Sequence, residues 1–420
     1  MMEGERKLAT VRRIAKIEPI EGADRIVKAT IDGWELVTQK DNYKVGDLCV
    51  YFEIDSFLPV REEFEFLRKG CFKSTTNLGD GFRIKTIKLK GQISQGLSLP
   101  LKDVFGRQDE GGFFFYNGEN KIYAEEGTDV TEYCRVQKYE KPLPKEGGGG
   151  ANMGRAKANF PDFIPKTDQD RVQNCLGAIK KWIYYGEPVV TELTDLETVR
   201  SLEAGNYIGS AERHYFKSGD MWFVREYTRN DDETIAKRRV FETTMKLDGS
   251  SMTVYHNDGR YGVCSRNLEV RRDTENVFWK TVLATDILPS MVRDGRNLAI
   301  QGELMGPGVQ GNREKFEDHK FFVFDIYDID QKRYLTSLER ETLMSQVESD
   351  PNNNAFNHVP LVWSGFAVIT EETSVSDLLA MVEIKSINHD IAEGVVFKSV
   401  VDGSKSFKVI NNKYLLAEKD

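Results

Sequence analysis

Four consecutive glycines, Gly147 to Gly150, follow the proline-containing run Lys141-Pro142-Leu143-Pro144-Lys145-Glu146. A packed helix or strand cannot hold such a run without a large loss of backbone entropy. The chain is therefore expected to fold as separate bodies on either side of a linker, 141–157, rather than around one core. Its 420 residues allow two or three domains.

Upstream of the linker, residues 1–140 read as short strands broken by turn residues. Examples are Thr10-Val11-Arg12-Arg13-Ile14, Ile26 to Ile31, Trp34 to Thr38 and Cys49 to Ile54, with turn signals at Glu21-Gly22-Ala23-Asp24, Asp32-Gly33 and Gly46-Asp47. Short strands at this spacing predict a small barrel or sandwich. The run from Ile17 to Ile26, followed by Tyr43-Lys44-Val45-Gly46-Asp47, resembles OB-fold modules of the tRNA-binding type. Downstream, 158–420 reads as a mixture of strands and helices, making the whole chain α+β. A helix is predicted from Asp168 to Ile183 with Thr167 or Asp168 as its N-cap, and further helices near 335–348 and 374–385. The stretch 175–240 is read as an enlargement, and from 184 onward it carries no interpretable motif.

Composition excludes some classes. No run of about 18 apolar residues is present, so no membrane-spanning helix is expected. The charged start Met1-Met2-Glu3-Gly4-Glu5-Arg6-Lys7 is not a secretory signal. Five scattered cysteines with no C-x-x-C pair predict reduced thiols in the cytoplasm or another reducing intracellular compartment, and argue against a zinc site. The net charge of −9 bears on solubility, whereas phosphate contacts depend on where individual Lys and Arg lie.

Five short segments, in one order, carry chemistry. Lys246-Leu247-Asp248-Gly249 places a lysine at a strand end before a tight turn. A free lysine is almost wholly protonated at neutral pH, so as a nucleophile Lys246 is expected to have its pKa lowered by desolvation or by cationic neighbours. Cys264-Ser265-Arg266-Asn267 offers a guanidinium that can fork onto phosphate or ribose oxygens. Gln301-Gly302-Glu303 closes an apolar strand with a carboxylate, a candidate metal or ribose ligand or a salt-bridged structural residue. Phe321 to Tyr327 is a core-like strand in which Phe324 is positioned to stack on a purine. Glu393-Gly394-Val395-Val396 and Ser406-Phe407-Lys408 form a predicted hairpin, pairing a carboxylate for a divalent cation with a lysine for phosphate oxygens. Each segment alone has an ordinary structural explanation.

Taken in order, the five segments resemble the motifs of the covalent nucleotidyltransferase superfamily of ATP-dependent ligases and mRNA-capping enzymes, over about residues 158–416. The resemblance implies an adenylyltransferase (ATP-grasp-like ligase) domain of antiparallel sheets with flanking helices. DNA ligases and capping enzymes carry an OB domain after the terminal lysine motif. Here twelve residues follow Lys408 and the OB-like block comes first. That layout, with Phe160-Pro161-Asp162-Phe163-Ile164-Pro165-Lys166, is similar to nick-sealing RNA ligases related to the RNA-editing ligases. The resemblance implies a monomeric RNA ligase using ATP with Mg²⁺ or Mn²⁺, joining RNA 3′-hydroxyl and 5′-phosphate ends, with a nicked duplex as one possible substrate. It also implies roles: Lys246 as AMP-accepting nucleophile; Asp248, Gly249, Arg266, Glu303, Phe324, Glu393 and Lys408 around ATP; and Glu303 and Glu393 on the metal. Two positions depart from the pattern. Met245 stands where relatives often have Glu, and Val409-Ile410 follow Lys408 where many have Lys-x-Lys, leaving Lys405 or Lys413 as alternatives for the second charge. The rival readings are a GTP-dependent capping-type guanylyltransferase and a catalytically inactive RNA-binding protein on the same fold.

Within the OB-like block, Phe82 to Lys90 alternates apolar and basic residues with a slip at Thr86. As one strand it would bury Phe82, Ile84, Ile87 and Leu89 and present Arg83, Lys85, Lys88 and Lys90 to RNA.

Overall fold

The structure, a computed structural model, describes residues 6–139, 156–166, 168–182, 184–185, 189–204, 213–218, 220–226, 237–273, 275–285, 287–348, 356–400 and 403–417. The Pro/Gly run and Thr167 lie outside the described residues. Among the described residues no helix is long and apolar enough to cross a membrane.

The N-terminal domain is built from short antiparallel strands. Ala9–Arg13, Leu48–Phe52 and Leu97–Pro100 form one sheet, and Lys16–Pro19, Ile26–Ile31 and Trp34–Gln39 form a meander. Ile26–Ile31 and Trp34–Gln39 bury every second residue, as expected of strands with one face on a core. That core divides into two clusters, one around Val50, Phe52, Phe64 and Phe82 and another around Ile31, Trp34, Leu36 and Tyr51.

The basic strand expected from Phe82 to Lys90 does not form. Gly79–Arg83 and Ile87–Leu89 are separate strands in different sheets, the first paired with Ser56–Pro59 and the second with Gln92–Ser94. Arg83 is consequently buried, with its guanidinium over the Tyr139 ring at 4.3 Å, and Leu89 is exposed. Of the four basic residues only Lys88 and Lys90 are fully exposed, with Lys85 partly so.

The second domain is built on two large sheets with helices packed against them, beside a third, three-stranded sheet. The larger runs Ala156–Asn159, Leu268–Val270, Arg260–Cys264, Ser250–Asn257, Leu298–Met305, Lys320–Asp328 and Arg333–Tyr334, with Phe356–His358 also beside Lys320–Asp328. Its core face is covered by Val277–Leu283, Ile287–Asp294 and Ser337–Glu348. The smaller sheet runs Asp170–Arg171, Ser406–Ile410, Gly394–Ser399, Lys237–Lys246 and Tyr184–Tyr185, with Leu361–Thr370 also on Lys237–Lys246. Helices Val172–Trp182 and Val375–Met381 pack on it.

Two further expectations are corrected. The first helix begins at Val172, because Asp170–Arg171 is taken into the sheet in parallel with Phe407 and Lys408. Residues from 175 are not peripheral at the outset: Cys175, Leu176 and Ile179 are buried core on that helix. Only farther along does a separate three-stranded sheet appear, Val189–Glu192, Met221–Glu226 and Arg213–Ser218.

The two domains share a core. Ile410 and Leu415, the latter on helix Asn412–Ala417, are buried among Ile14, Trp34 and Tyr51 of the N-terminal domain. A polar knot surrounds this contact. The Trp34 indole donates to Asn174 Oδ1 at 2.7 Å, and Asn174 Nδ2 donates to Glu53 at 2.8 Å. Arg171 pairs with Asp55 at 3.1 Å. Buried carboxylates such as Glu53 survive because Arg6 and Arg12, each 3.0 Å away, compensate their charge.

Candidate active site

Lys246 ends its strand opposite Gly394, which places Glu393 beside it, and its Nζ lies 2.8 Å from Glu393 Oε1. The chain then turns through Asp248-Gly249 into the other sheet, where Ser251 faces Glu303. The Gly249 amide donates to Glu303 Oε1 at 3.0 Å, so one carboxylate fixes the turn that follows the lysine. Gly249 has no substitute here, since a Cβ would collide with the Leu304 carbonyl. Gly394 is equally constrained by the Val409 carbonyl. The two glutamates and Lys246 thus converge from both sheets.

Charges here are strongly coupled. Burial works against the Lys246 ammonium, but Glu393, Glu303 and Asp248 outweigh it and raise its pKa above the ordinary lysine value. This reverses the expectation of a lowered pKa, because the neighbours in contact are carboxylates rather than cations. Burial, with repulsion from Glu393 and Asp248, pushes Glu303 up to about 8 despite Lys246. Burial likewise raises Glu393, against the pull of Lys246. Crowded, partly desolvated carboxylates of this kind suit a divalent cation. Among the described residues no three His, Cys, Asp or Glu side chains form a metal cage. A cation held by Glu303 and Glu393 would therefore complete its shell with phosphate and water oxygens, as Mg²⁺ commonly does.

Lys408, on the strand beyond Gly394–Ser399, faces Val396 and reaches Asp168 at 3.2 Å. Arg266 approaches the same carboxylate at 3.0 Å, and Lys138 of the N-terminal domain at 3.7 Å. Burial opposes ionisation of Asp168, yet Lys408, Lys138 and Arg266 together hold it down at about 2. Burial lowers Lys408 to about 8; Asp168 resists this, while Lys246, Arg171 and Arg6 add to it. One carboxylate thus gathers three cations from both domains, an arrangement that a phosphate group can match. Sequence reasoning placed Asp168 only as a helix cap. Lys413, one alternative for the second charge of the terminal motif, is engaged on the surface with Glu383 at 2.6 Å.

Phe324 owes its position to a β-bulge. Along Lys320–Asp328, Asp325 faces Gln301 and Val323 faces Gly302, which leaves Phe324 as the extra residue. The alternation shifts there: Phe321, Val323 and Ile326 enter the core, while Phe324 stays half-buried against a patch containing Met245, Leu247, Met305 and Ile387. An apolar patch with one accessible ring suits a nucleobase. Lys398 locks the bulge, donating to the Phe324 carbonyl at 2.8 Å and pairing with Asp325. Behind it, buried Arg340 pairs with Glu242 at 2.5 Å and donates to His358 Nε2 at 3.0 Å. Burial and Arg340 lower His358 to about 4, which keeps the ring a neutral acceptor. Removing Arg340 would strand the Glu242 charge, at a cost of about 3–5 kcal/mol.

Lys85, Lys88 and Lys90 do not join this site. Lys85 and Lys88 line a groove between the N-terminal domain and Leu415 and Leu416 of the last helix.

Comparison with known proteins agrees with this architecture. A family model described as RNA ligase matches residues 239–410, and one described as an OB-fold domain matches residues 8–101. No curated protein matches the sequence. Structures of an RNA ligase from Naegleria gruberi match almost throughout. A mutant with ATP and Mn is 34% identical, with 97% of this chain and 98% of that chain covered and a TM-score of 0.74. The same ligase with pyrophosphate is 34% identical, with 98% of each chain covered and a TM-score of 0.73. A mutant with AMP and Mn is 34% identical over 98% of each chain, with a TM-score of 0.74. The chain therefore belongs to the RNA ligase family, with an OB-fold domain ahead of a covalent-nucleotidyltransferase domain of α+β architecture.

Proposed function

We propose that this enzyme seals RNA 3′-hydroxyl and 5′-phosphate ends at the expense of ATP, through a lysyl-AMP and then an RNA-adenylate. The observation that carries the reading is Lys246, held at 2.8 Å from Glu393 with Glu303 on its other side and Lys408 one strand beyond. In the first step Nζ of Lys246, having lost a proton, bonds to the α-phosphorus of ATP, and the bond from that phosphorus to the pyrophosphate oxygen breaks. Glu303 and Glu393 would hold Mg²⁺ or Mn²⁺, whose charge, once bound, relieves the carboxylates' hold on the Lys246 proton and offsets charge on the phosphates. Lys408 and Arg266 neutralise phosphate oxygens, Asp248 and Gly249 shape the turn against the nucleotide, and Phe324 stacks on adenine. In the second step an RNA 5′-phosphate oxygen takes the AMP as the phosphorus–nitrogen bond breaks, and Lys246 regains its proton. In the third, the 3′-hydroxyl oxygen bonds to the 5′-phosphorus, losing its proton, and AMP leaves.

RNA contacts on the OB domain fall to Lys85, Lys88 and Lys90, while buried Arg83 serves the domain's own packing. The five cysteines are free thiols, in keeping with a reducing intracellular compartment. Incubation with α-labelled ATP or GTP, followed by addition of nicked duplexes with RNA or DNA on each side of the break, tests the reading. The expected result is an acid-labile label from ATP that is discharged by a nick with an RNA 3′-hydroxyl. Labelling from GTP alone, or RNA binding without labelling, would overturn it.

A further inference from the structure

The carboxylate of Asp248 is held from an unexpected quarter. Its Oδ2 accepts a hydrogen bond at 2.9 Å from the Tyr414 hydroxyl, 166 residues away in the chain. Tyr414 lies on the helix Asn412–Ala417, which is seated on the OB domain: Leu415 is buried among Ile14, Trp34 and Tyr51, and Asn412 Oδ1 accepts from Gln95 Nε2 at 3.1 Å. The Tyr414 ring lies under the Arg313 guanidinium, 4.6 Å from its centre. Arg313 in turn donates to the Ile391 carbonyl at 2.8 Å and contacts His389 Nδ1 at 3.1 Å, two and four residues before Glu393. From the helix that docks the N-terminal domain, Tyr414 therefore touches the turn that follows the nucleophile and, through Arg313, is linked to the segment that delivers Glu393.

A hydrogen bond to a carboxylate is worth more than a neutral one, and a phenol whose ring is held under Arg313 imposes a direction on the carboxylate it meets. Asp248 sits in a three-residue connection, Leu247-Asp248-Gly249, between strands of different sheets, Lys237–Lys246 and Ser250–Asn257. The bond from Tyr414 anchors that connection, two residues after Lys246, to the last helix, and so restrains the nucleophile's strand end. Misplacement of a nucleophile by a fraction of an ångström is costly.

We propose that Tyr414 is a positioning residue for lysine adenylylation, acting through Asp248 from a helix whose place is set by the OB domain. The inference rests on the ligase reading above. It is tested with the full-length chain by measuring the rate of label transfer from α-labelled ATP in Tyr414→Phe, which keeps the ring beneath Arg313 and removes only the hydroxyl. The rate at saturating ATP should fall about tenfold while the KM for ATP stays within about twofold, since an orienting contact acts mainly in the transition state. In an Asp248→Asn background the same substitution should cost less than about twofold, because two residues acting through one contact are not additive. A Tyr414→Phe chain that labels like the unaltered one, or an undiminished tenfold loss in the Asp248→Asn background, would overturn the positioning role alone. Failure of the unaltered chain to label would overturn the ligase reading, and this role with it.

Discussion

Lys246 and Lys408 belong to one sheet, separated by the strand Gly394–Ser399, and both are largely withdrawn from water, yet their surroundings push them in opposite directions. Lys246 has three carboxylates around it, Glu393, Glu303 and Asp248, that raise its pKa; Lys408 has one, Asp168, set against the cations Lys246, Arg171 and Arg6, and burial lowers it to about 8. Burial acts on both, so the balance of neighbouring charge decides the outcome. In the proposed reaction Lys408 and Arg266 would meet the triphosphate, while Glu303 and Glu393, the carboxylates beside the Lys246 ammonium, would hold the divalent cation.

The contrast can be broken most severely at Lys246. Lys246→Ala should lower both enzyme–AMP formation and sealing by at least ~10³-fold, read from label transfer and from ligated product on a nicked duplex. Next come the carboxylates. Glu393→Gln and Glu303→Gln should each slow adenylylation by roughly 10²-fold and raise the Mn²⁺ concentration needed for half-maximal rate. Removal of the metal with a chelator should abolish labelling, and Mn²⁺ should restore it.

The other half of the contrast has a pH signature. The Lys408 ammonium is charged below about 8 in the free enzyme and is lost as pH rises through that value. Because kcat/KM reports the free enzyme, loss of the Lys408 charge contributes a decline in kcat/KM for ATP through about pH 8, set against the opposite contribution of Glu303 ionising over the same range. Lys408→Arg, charged throughout, should flatten that decline, with a gain over the unaltered chain of up to roughly tenfold in its alkaline limb relative to pH 7. The smallest effect is expected from Asp168→Asn. The Asp168 charge favours the protonated form of Lys408, so its removal should move the alkaline limb to lower pH. A limb that moved to higher pH would show that Asp168 does not face Lys408 as described.

How far the sequence disclosed this site depends on whether a residue's role is set locally. Lys246 ends a strand, Glu393 precedes one, and Glu303 and Lys408 lie within strands, each in a short motif, and the structure brings all four together. Asp168 and Tyr414 do their work across 240 and 166 residues, to Lys408 and Asp248, and nothing local marks them. Phe324 was singled out by position, but the bulge that turns it toward the cleft arises from register against Gln301 and Gly302, which one strand's sequence does not specify. The basic stripe failed for the converse reason. Its alternation is legible, but Gly79–Arg83 pairs with Ser56–Pro59 and Ile87–Leu89 with Gln92–Ser94, partners that alternation does not specify, and the stripe is split. The helix Val277–Leu283 carries a local signal of its own, Asn276, whose side chain caps it by accepting from the Phe278 amide, ahead of Ile287–Asp294.

The central claim is that Lys246 carries AMP. Tandem mass spectrometry of the unaltered chain after reaction with ATP and Mn²⁺ should place a single adenylate adduct on Lys246 and none on Lys408. An adduct on any other residue, or none at all, would contradict the account.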